Sequence, residues 1–94
     1  MNITQEKLNK IAEEVNLLEV VNDCTSVKLN DKYGLFFEVV DCGNSKEIFI
    51  ELNEIDEIGS WLPCAPYNEF APFGDIQRLI EVVKNYIEAF EEEL

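Results

Sequence analysis

The chain has 94 residues, of which 20 are acidic and 7 are basic, so its formal net charge is −13. Because 47% of its residues are hydrophobic and 11% are aromatic, the composition excludes a disordered chain and predicts one small domain over residues 1–94 with a thin core. The charge disfavours direct binding to nucleic-acid phosphates or to an anionic membrane, since both attract Lys and Arg.

The N-terminal segment has the spacing of an amphipathic helix. Apolar residues recur every three or four positions, at Leu8, Ile11, Ala12, Val15 and Leu18. Thr4 is a suitable N-cap, and Glu6 lies in the first turn, where the helix dipole favours a carboxylate. The pattern predicts a helix that ends near Asn22 and Asp23.

Period-two alternation then predicts three short strands, at residues 26–29, 35–40 and 47–52. A two-residue Gly43-Asn44 loop would pair Cys42 with Ser45. It would place three apolar pairs on one face: Leu35 with Leu52, Phe37 with Ile50, and Val39 with Ile48. A slip of one residue would turn this whole set outward, so the register is strongly specified.

The loop between the first two strands must leave the apolar residues of both strands on the same face of the sheet. We therefore expect this loop to have an odd number of residues. Gly34 follows the turn residues 30–33. We expect it to supply the positive backbone angle of a β-bulge.

Between Asn53 and Gly74 the pattern is weak. Ile55, Ile58 and Trp61 are spaced by three, which predicts a helical turn. Residues 61–74 hold all three prolines and four aromatic residues, and we expect them to form an irregular segment. Trp61 and Leu62 are predicted to enter the core, whereas Tyr67 and Phe70 are predicted contact residues.

The last element is a second amphipathic helix, with Asp75 as its N-cap. Its apolar stripe is Ile76, Leu79, Ile80, Val83, Tyr86, Ile87 and Phe90. The predicted order is therefore helix, three-stranded antiparallel meander, irregular segment, helix. This order predicts a two-layer α+β domain with both helices on one face of the sheet.

The sequence carries no targeting signal that we can identify. Its first residues lack a basic region followed by an apolar run, and its apolar runs are far shorter than a membrane span. The three cysteines, Cys24, Cys42 and Cys64, are odd in number and widely spaced, which does not predict a disulfide framework. We therefore expect a cytoplasmic protein with reduced cysteines.

Motifs for catalysis and cofactors are missing. The chain has no histidine, which removes the commonest general base, and it has neither a glycine-rich phosphate loop nor a nucleophile elbow. The cysteines have no histidine to complete a zinc site. The acidic run at residues 51–57 lacks the spacing of a calcium loop. We expect a protein that is not an enzyme and holds no cofactor or metal.

The sheet face opposite the helices is the candidate site. The register sets Phe36 against Glu51, Glu38 against Phe49, and Val40 against Glu47. Three carboxylates and two phenylalanines then share one surface, which suits a groove lined with Lys and Arg. The alternative is an ordinary solvated face whose phenylalanines are covered by residues 55–73.

These observations favour an acidic inhibitor or adaptor that docks on a basic surface of a nucleic-acid-handling protein, with nucleic-acid mimicry as its mode. The expected partner is basic, such as a nuclease or another nucleic-acid-binding protein. In composition alone the chain is similar to phage-encoded inhibitors of nucleic-acid-directed defence and to immunity proteins that neutralise nuclease toxins. The predicted contacts are Phe36, Glu38, Glu47, Phe49, Glu51, Glu54, Asp56, Glu57, Tyr67 and Phe70.

Two alternatives stay open on the sequence. In the first, the chain is a structural or assembly protein that homodimerises through its aromatic surface, and the acidic residues only keep it in solution. In the second, less favoured one, it is a small-molecule or metal-binding module.

Overall fold

The computed structural model describes residues 5–90, with the side chains of all of them except residues 65 and 66. Two helices enclose four strands in chain order: α1 (Gln5–Asn16), β1 (Cys24–Lys28), β2 (Tyr33–Asp41), β3 (Lys46–Ile55), β4 (Trp61–Pro72) and α2 (Ile76–Ala89). The strands form an antiparallel sheet in the order β1-β2-β3-β4. The α+β class, with a helix at each end of the chain, is therefore confirmed.

Both helices pack on the same face of the sheet. The sheet contributes to this core Leu35, Phe37, Val39, Ile48, Ile50 and Leu52, all at most 2% exposed. The helices contribute Leu8, Ile11 and Val15 from α1 and Leu79, Val82 and Val83 from α2. Each large apolar side chain buried in this way stabilises the fold by roughly 1.5–3 kcal/mol relative to an exposed one.

The predicted register of β2 and β3 is confirmed. Leu35, Phe37 and Val39 pair with Leu52, Ile50 and Ile48, respectively. At the turn, the Cys42 amide donates to the Ser45 carbonyl at 2.9 Å, and Gly43 adopts a φ of 87°. This register places residues 36, 38, 40, 47, 49 and 51 on the face away from the helices.

The segment predicted to be irregular is instead the fourth strand. Residues 68–72 pair with residues 47–51 of β3, and residues 61–63 pair with residues 53–55, with an irregularity between the two stretches. The predicted helical turn is also absent, because Ile55 lies in β3 and Ile58 lies in an exposed turn. Prolines and a bulge break the period-two pattern of β4, and prolines are tolerated there because β4 is an edge strand.

Helix α1 ends at Asn16, well before the predicted end. Leu18 is still buried, so the apolar spacing continues beyond the helix itself. The Asp23 carboxylate accepts the amides of Glu19 at 3.0 Å and Val20 at 3.1 Å, which closes the turn that follows. The predicted N-cap Thr4 lies outside the described residues.

The second helix begins as predicted. The Asp75 carboxylate accepts the backbone amide of Arg78 at 3.0 Å, which satisfies one of the unpaired donors in the first turn. At the other end of α2, the Tyr86 hydroxyl lies 3.4 Å from the Ile50 carbonyl oxygen. Burial, followed by the charges of Glu69 and Glu51, raises the pKa of Tyr86 above its ordinary value.

Gly34 does not have the predicted role. The first loop has the expected odd length, since the Leu29 amide donates to the Tyr33 carbonyl at 2.9 Å across residues 30–32. Gly34, however, lies inside β2 and is not among the positive-φ glycines. A Cβ atom at this position would collide with the ring of Trp61. The glycine is therefore required for the close approach of a side chain, rather than for a turn.

Candidate protein interface on the outer sheet face

We call the side of the sheet away from the helices the outer face. Cross-strand pairing arranges its central residues in two rows. One row runs Cys24, Glu38, Phe49, Phe70, and the next runs Ser26, Phe36, Glu51, Asn68. Acidic and aromatic side chains therefore alternate along β2 and β3 and face each other between these two strands.

The outer face is open. Phe36, Glu38, Phe49 and Glu51 are all partly exposed, and Phe70 is 51% exposed. The rings of Phe49 and Phe70 contact each other, with centroids 5.4 Å apart and planes tilted by 51°. Residues 55–73 cover this face only in part: Phe70 contacts Phe49, and the Trp61 ring lies over Gly34. Within residues 5–90, β4 extends the sheet sideways and no helix crosses this face.

The carboxylates of this face have no cationic partner in the described part of the chain. The ion pairs seen there involve Arg78, which lies 3.1 Å from Glu81 and 3.7 Å from Glu69, both away from the outer face. Glu51 instead accepts a hydrogen bond from the Asn53 side-chain amide at 3.3 Å. Asn53 is itself only 4% exposed, so a buried amide positions one of the three acids.

A contact between Trp61 and Gly34 closes one end of the outer face. The Trp61 ring lies over Gly34, whose cross-strand partner is Asn53. Trp61 pairs with Ile55, which is also buried. Sequence reasoning missed this contact, although a glycine within an alternating strand pattern is a known sign of close approach.

Four of the predicted contact residues lie elsewhere. Glu54 pairs with Tyr33, on the helix side of the sheet, and is exposed. Asp56 closes the turn between β3 and β4 by accepting the amides of Ile58 and Ser60 at 3.0 and 2.8 Å. Glu57 is exposed in that turn.

Tyr67 is the fourth predicted contact residue that lies away from the outer face. Its ring packs edge-on against Tyr86 and Phe90 of the C-terminal region, with centroid distances of 6.0 and 4.6 Å. It therefore belongs to the helix-side packing. Leu62, predicted to enter the core, is 52% exposed, whereas Trp61 is half-buried on the outer face.

Other parts of the described structure offer fewer features of a binding site. A groove of about 380 Å³ lies between the end of α1 and the start of α2, and is lined by apolar residues including Leu18, Ile48 and Phe73. Within residues 5–90, no three acidic or cysteine side chains are grouped so as to hold a metal ion. No helix in the same range is long and apolar enough to cross a membrane.

Comparison with known proteins adds no constraint on function. No family model matches the chain, and neither curated proteins nor solved structures match it. The chemistry of the outer face therefore carries the functional argument alone.

Proposed function

We propose that this protein is an acidic inhibitor or adaptor that docks its outer face on a basic surface of a nucleic-acid-handling protein, as a nucleic-acid mimic. One observation carries the proposal: Glu38, Glu47 and Glu51 share an open face with Phe36, Phe49 and Phe70. The acids supply the charge that a nucleic-acid groove attracts, and the rings supply apolar anchors.

The arrangement of the carboxylates supports mimicry of a phosphate backbone. Glu38 pairs with Phe49 and therefore stands diagonally between Glu47 and Glu51. Diagonal neighbours of this kind have Cβ atoms about 7–8 Å apart or slightly less. The three acids thus form a zigzag row of regularly spaced charges on a rigid sheet, which a groove lined with Lys and Arg would accommodate. The net charge of −13 adds long-range attraction to such a partner.

The sheet edges are less suited to partner binding than the face. Strand β1 has only five residues, and Pro63 and Pro72 interrupt the amide donors along β4. Short edges and prolines oppose the addition of a partner strand. Docking through side chains on the outer face is therefore favoured over strand addition.

The test compares two variants that change the net charge equally. In the first, the outer-face residues Glu38, Glu47 and Glu51 become Gln. In the matched control, the exposed helix residues Glu6, Glu13 and Glu88 become Gln. Each immobilised protein captures partners from a nuclease-treated lysate at low and high salt, and duplex DNA or RNA is then added as competitor.

We expect wild-type and control proteins to retain a nucleic-acid-handling protein that is released by salt and by competitor, and the outer-face variant to lose it. The captured protein is then assayed for nucleic-acid binding or cleavage, which wild-type protein should inhibit. Capture that is insensitive to salt, or equal loss in both variants, would contradict the proposal.

Homodimerisation is the second candidate, and a different surface favours it. Leu17 and Val20, in the turn after α1, are 73% and 58% exposed beside the groove lined by Leu18 and Phe73. Exposed apolar patches of this type often mark contacts. A two-fold dimer through the outer face is disfavoured, because it would bring the carboxylates of two copies together.

A further inference from the structure

Each carboxylate at the centre of the outer face has an aromatic ring as a direct neighbour. Glu38 lies opposite Phe49, and Glu51 lies opposite Phe36. Directly paired residues on one sheet face have Cβ atoms about 4.5–5.5 Å apart. A cation that binds either carboxylate can therefore also contact a phenyl ring.

The most accessible of these positions is next to the Phe49–Phe70 pair. Glu38, Phe49 and Phe70 follow one another in a single row across β2, β3 and β4. Phe70, on the edge strand, is 51% exposed, and its ring is tilted by 51° against that of Phe49. Phe49 and Phe70 therefore form an apolar surface next to the Glu38 carboxylate, which has no cationic partner in the described residues.

Arg and Lys differ in how well they bind an apolar aromatic surface beside a carboxylate. The planar guanidinium of Arg stacks on an aromatic ring and can also bind a carboxylate through two parallel hydrogen bonds. The Lys ammonium is a compact, strongly hydrated charge that gains less from a flat ring. A surface that presented carboxylates alone would favour Arg only through these paired hydrogen bonds, and it would lack the contribution from stacking on a ring.

We propose that the outer face selects arginine over lysine, so that its partner presents an arginine-rich segment whose guanidinium groups stack on Phe49 and Phe70 and pair with Glu38. The inference rests on the proposed function and deepens it. It assigns the charge to the carboxylates and the stacking part of the discrimination between the two cations to the rings.

The probes are a peptide of alternating Arg and Ser residues and its counterpart with Lys in place of every Arg. Both have the same charge and length, so only the cationic group differs. Calorimetry measures their affinities, and the fluorescence of Trp61, the single tryptophan of the chain, reports occupation of the same face. We expect the wild-type protein to bind the Arg peptide about fivefold more tightly.

Matched phenylalanine variants separate stacking from charge. Phe70→Leu and Phe49→Leu keep an apolar side chain and should reduce the preference for Arg, while leaving the affinity for the Lys peptide nearly unchanged. Phe73→Leu is the control: Phe73 lies off the outer face, and the Lys46 ammonium already lies 4.9 Å from its ring centroid. It should retain the preference. If Phe49→Leu fails to fold, the more exposed Phe70 decides the question.

The outcomes are distinguishable. Equal affinities for both peptides in the wild-type protein, or a preference for Arg that is undiminished in both outer-face leucine variants, would overturn the inference and leave the proposed function standing. Binding of neither peptide would overturn the inference and count against the proposed function as well. Substitution of Glu38, Glu47 and Glu51 by Gln should lower the affinity of the protein for both peptides.

Discussion

At the scale of single residues, the contact between Gly34 and Trp61 shapes the candidate interface. The glycine leaves room for the indole ring to lie against the sheet at one end of the outer face. Nearby, Asn53 is buried and holds the Glu51 carboxylate. Gly34 therefore permits the Trp61 contact beside Asn53, the residue that binds Glu51.

We predict that Gly34→Ala destabilises the protein by about 1–3 kcal/mol, the usual range for forcing an extra group into a packed contact. The measurement is urea unfolding followed by circular dichroism. The control is the same substitution in a Trp61→Ala background, where the obstacle is gone. There Gly34→Ala should be neutral or slightly stabilising, because glycine is unfavourable within a strand. An equal loss of stability in both backgrounds would refute the contact.

At the scale of elements, the turn between α1 and β1 depends on one carboxylate. Asp23 accepts two backbone amides, from Glu19 and Val20, and these hydrogen bonds hold the pKa of Asp23 below its ordinary value. The same turn carries the exposed Leu17 and Val20. Helix α1 ends at Asn16, and Leu18 is buried in the core from this turn.

We predict a pH dependence for this turn. A carboxyl group whose pKa is lower in the folded than in the unfolded protein stabilises the fold at pH values above its unfolded pKa. This stabilisation is lost as the pH falls through its folded pKa. Carboxyl NMR titration should therefore give a midpoint for Asp23 below that of an ordinary aspartate. Asp23→Ala should reduce the stability lost on acidification, whereas Asp23→Asn keeps a hydrogen-bond acceptor and tests the geometry alone. A midpoint at or above the ordinary value would contradict the prediction.

At the scale of the whole molecule, charge and shape act together. The helices cover one face of the sheet, and the other stays open with its acids and rings. With a net charge of −13, two copies repel each other over distances of about 10 Å at moderate salt. The same field attracts a basic partner.

We predict that the protein sediments as a monomer of 10.8 kDa at micromolar concentration, because neither edge strand nor outer face suits a second copy. Sedimentation velocity at low and high salt is the measurement. A dimer that persists in the outer-face glutamine variant but dissociates on Leu17→Ser or Val20→Ser would instead establish the apolar turn as a dimer contact.

Much of the candidate site follows from local patterning. The alternation in β2 and β3 and the Gly43-Asn44 turn predict which side chains share a face, since the period of two and the turn length together define the register. The pairs of Phe36 with Glu51 and of Glu38 with Phe49 were therefore predictable. Glu54, Asp56 and Glu57 were grouped with them only by closeness in sequence. The alternation within β3 places Glu54 on the helix side, and Asp56 and Glu57 lie in the turn after β3.

The sequence by itself determined the acidic composition, the α+β class, the central register and the separation of an apolar from a mixed acidic and aromatic face. Tertiary structure alone decided whether that second face is covered. The prolines and bulge of residues 61–72 hide the strand pattern, and only pairing with β3 aligns Phe70 with Phe49 and places Tyr67 on the helix side. The conformation of β4 depends on its pairing with β3 across an irregularity in register, which is why local periodicity did not reveal it.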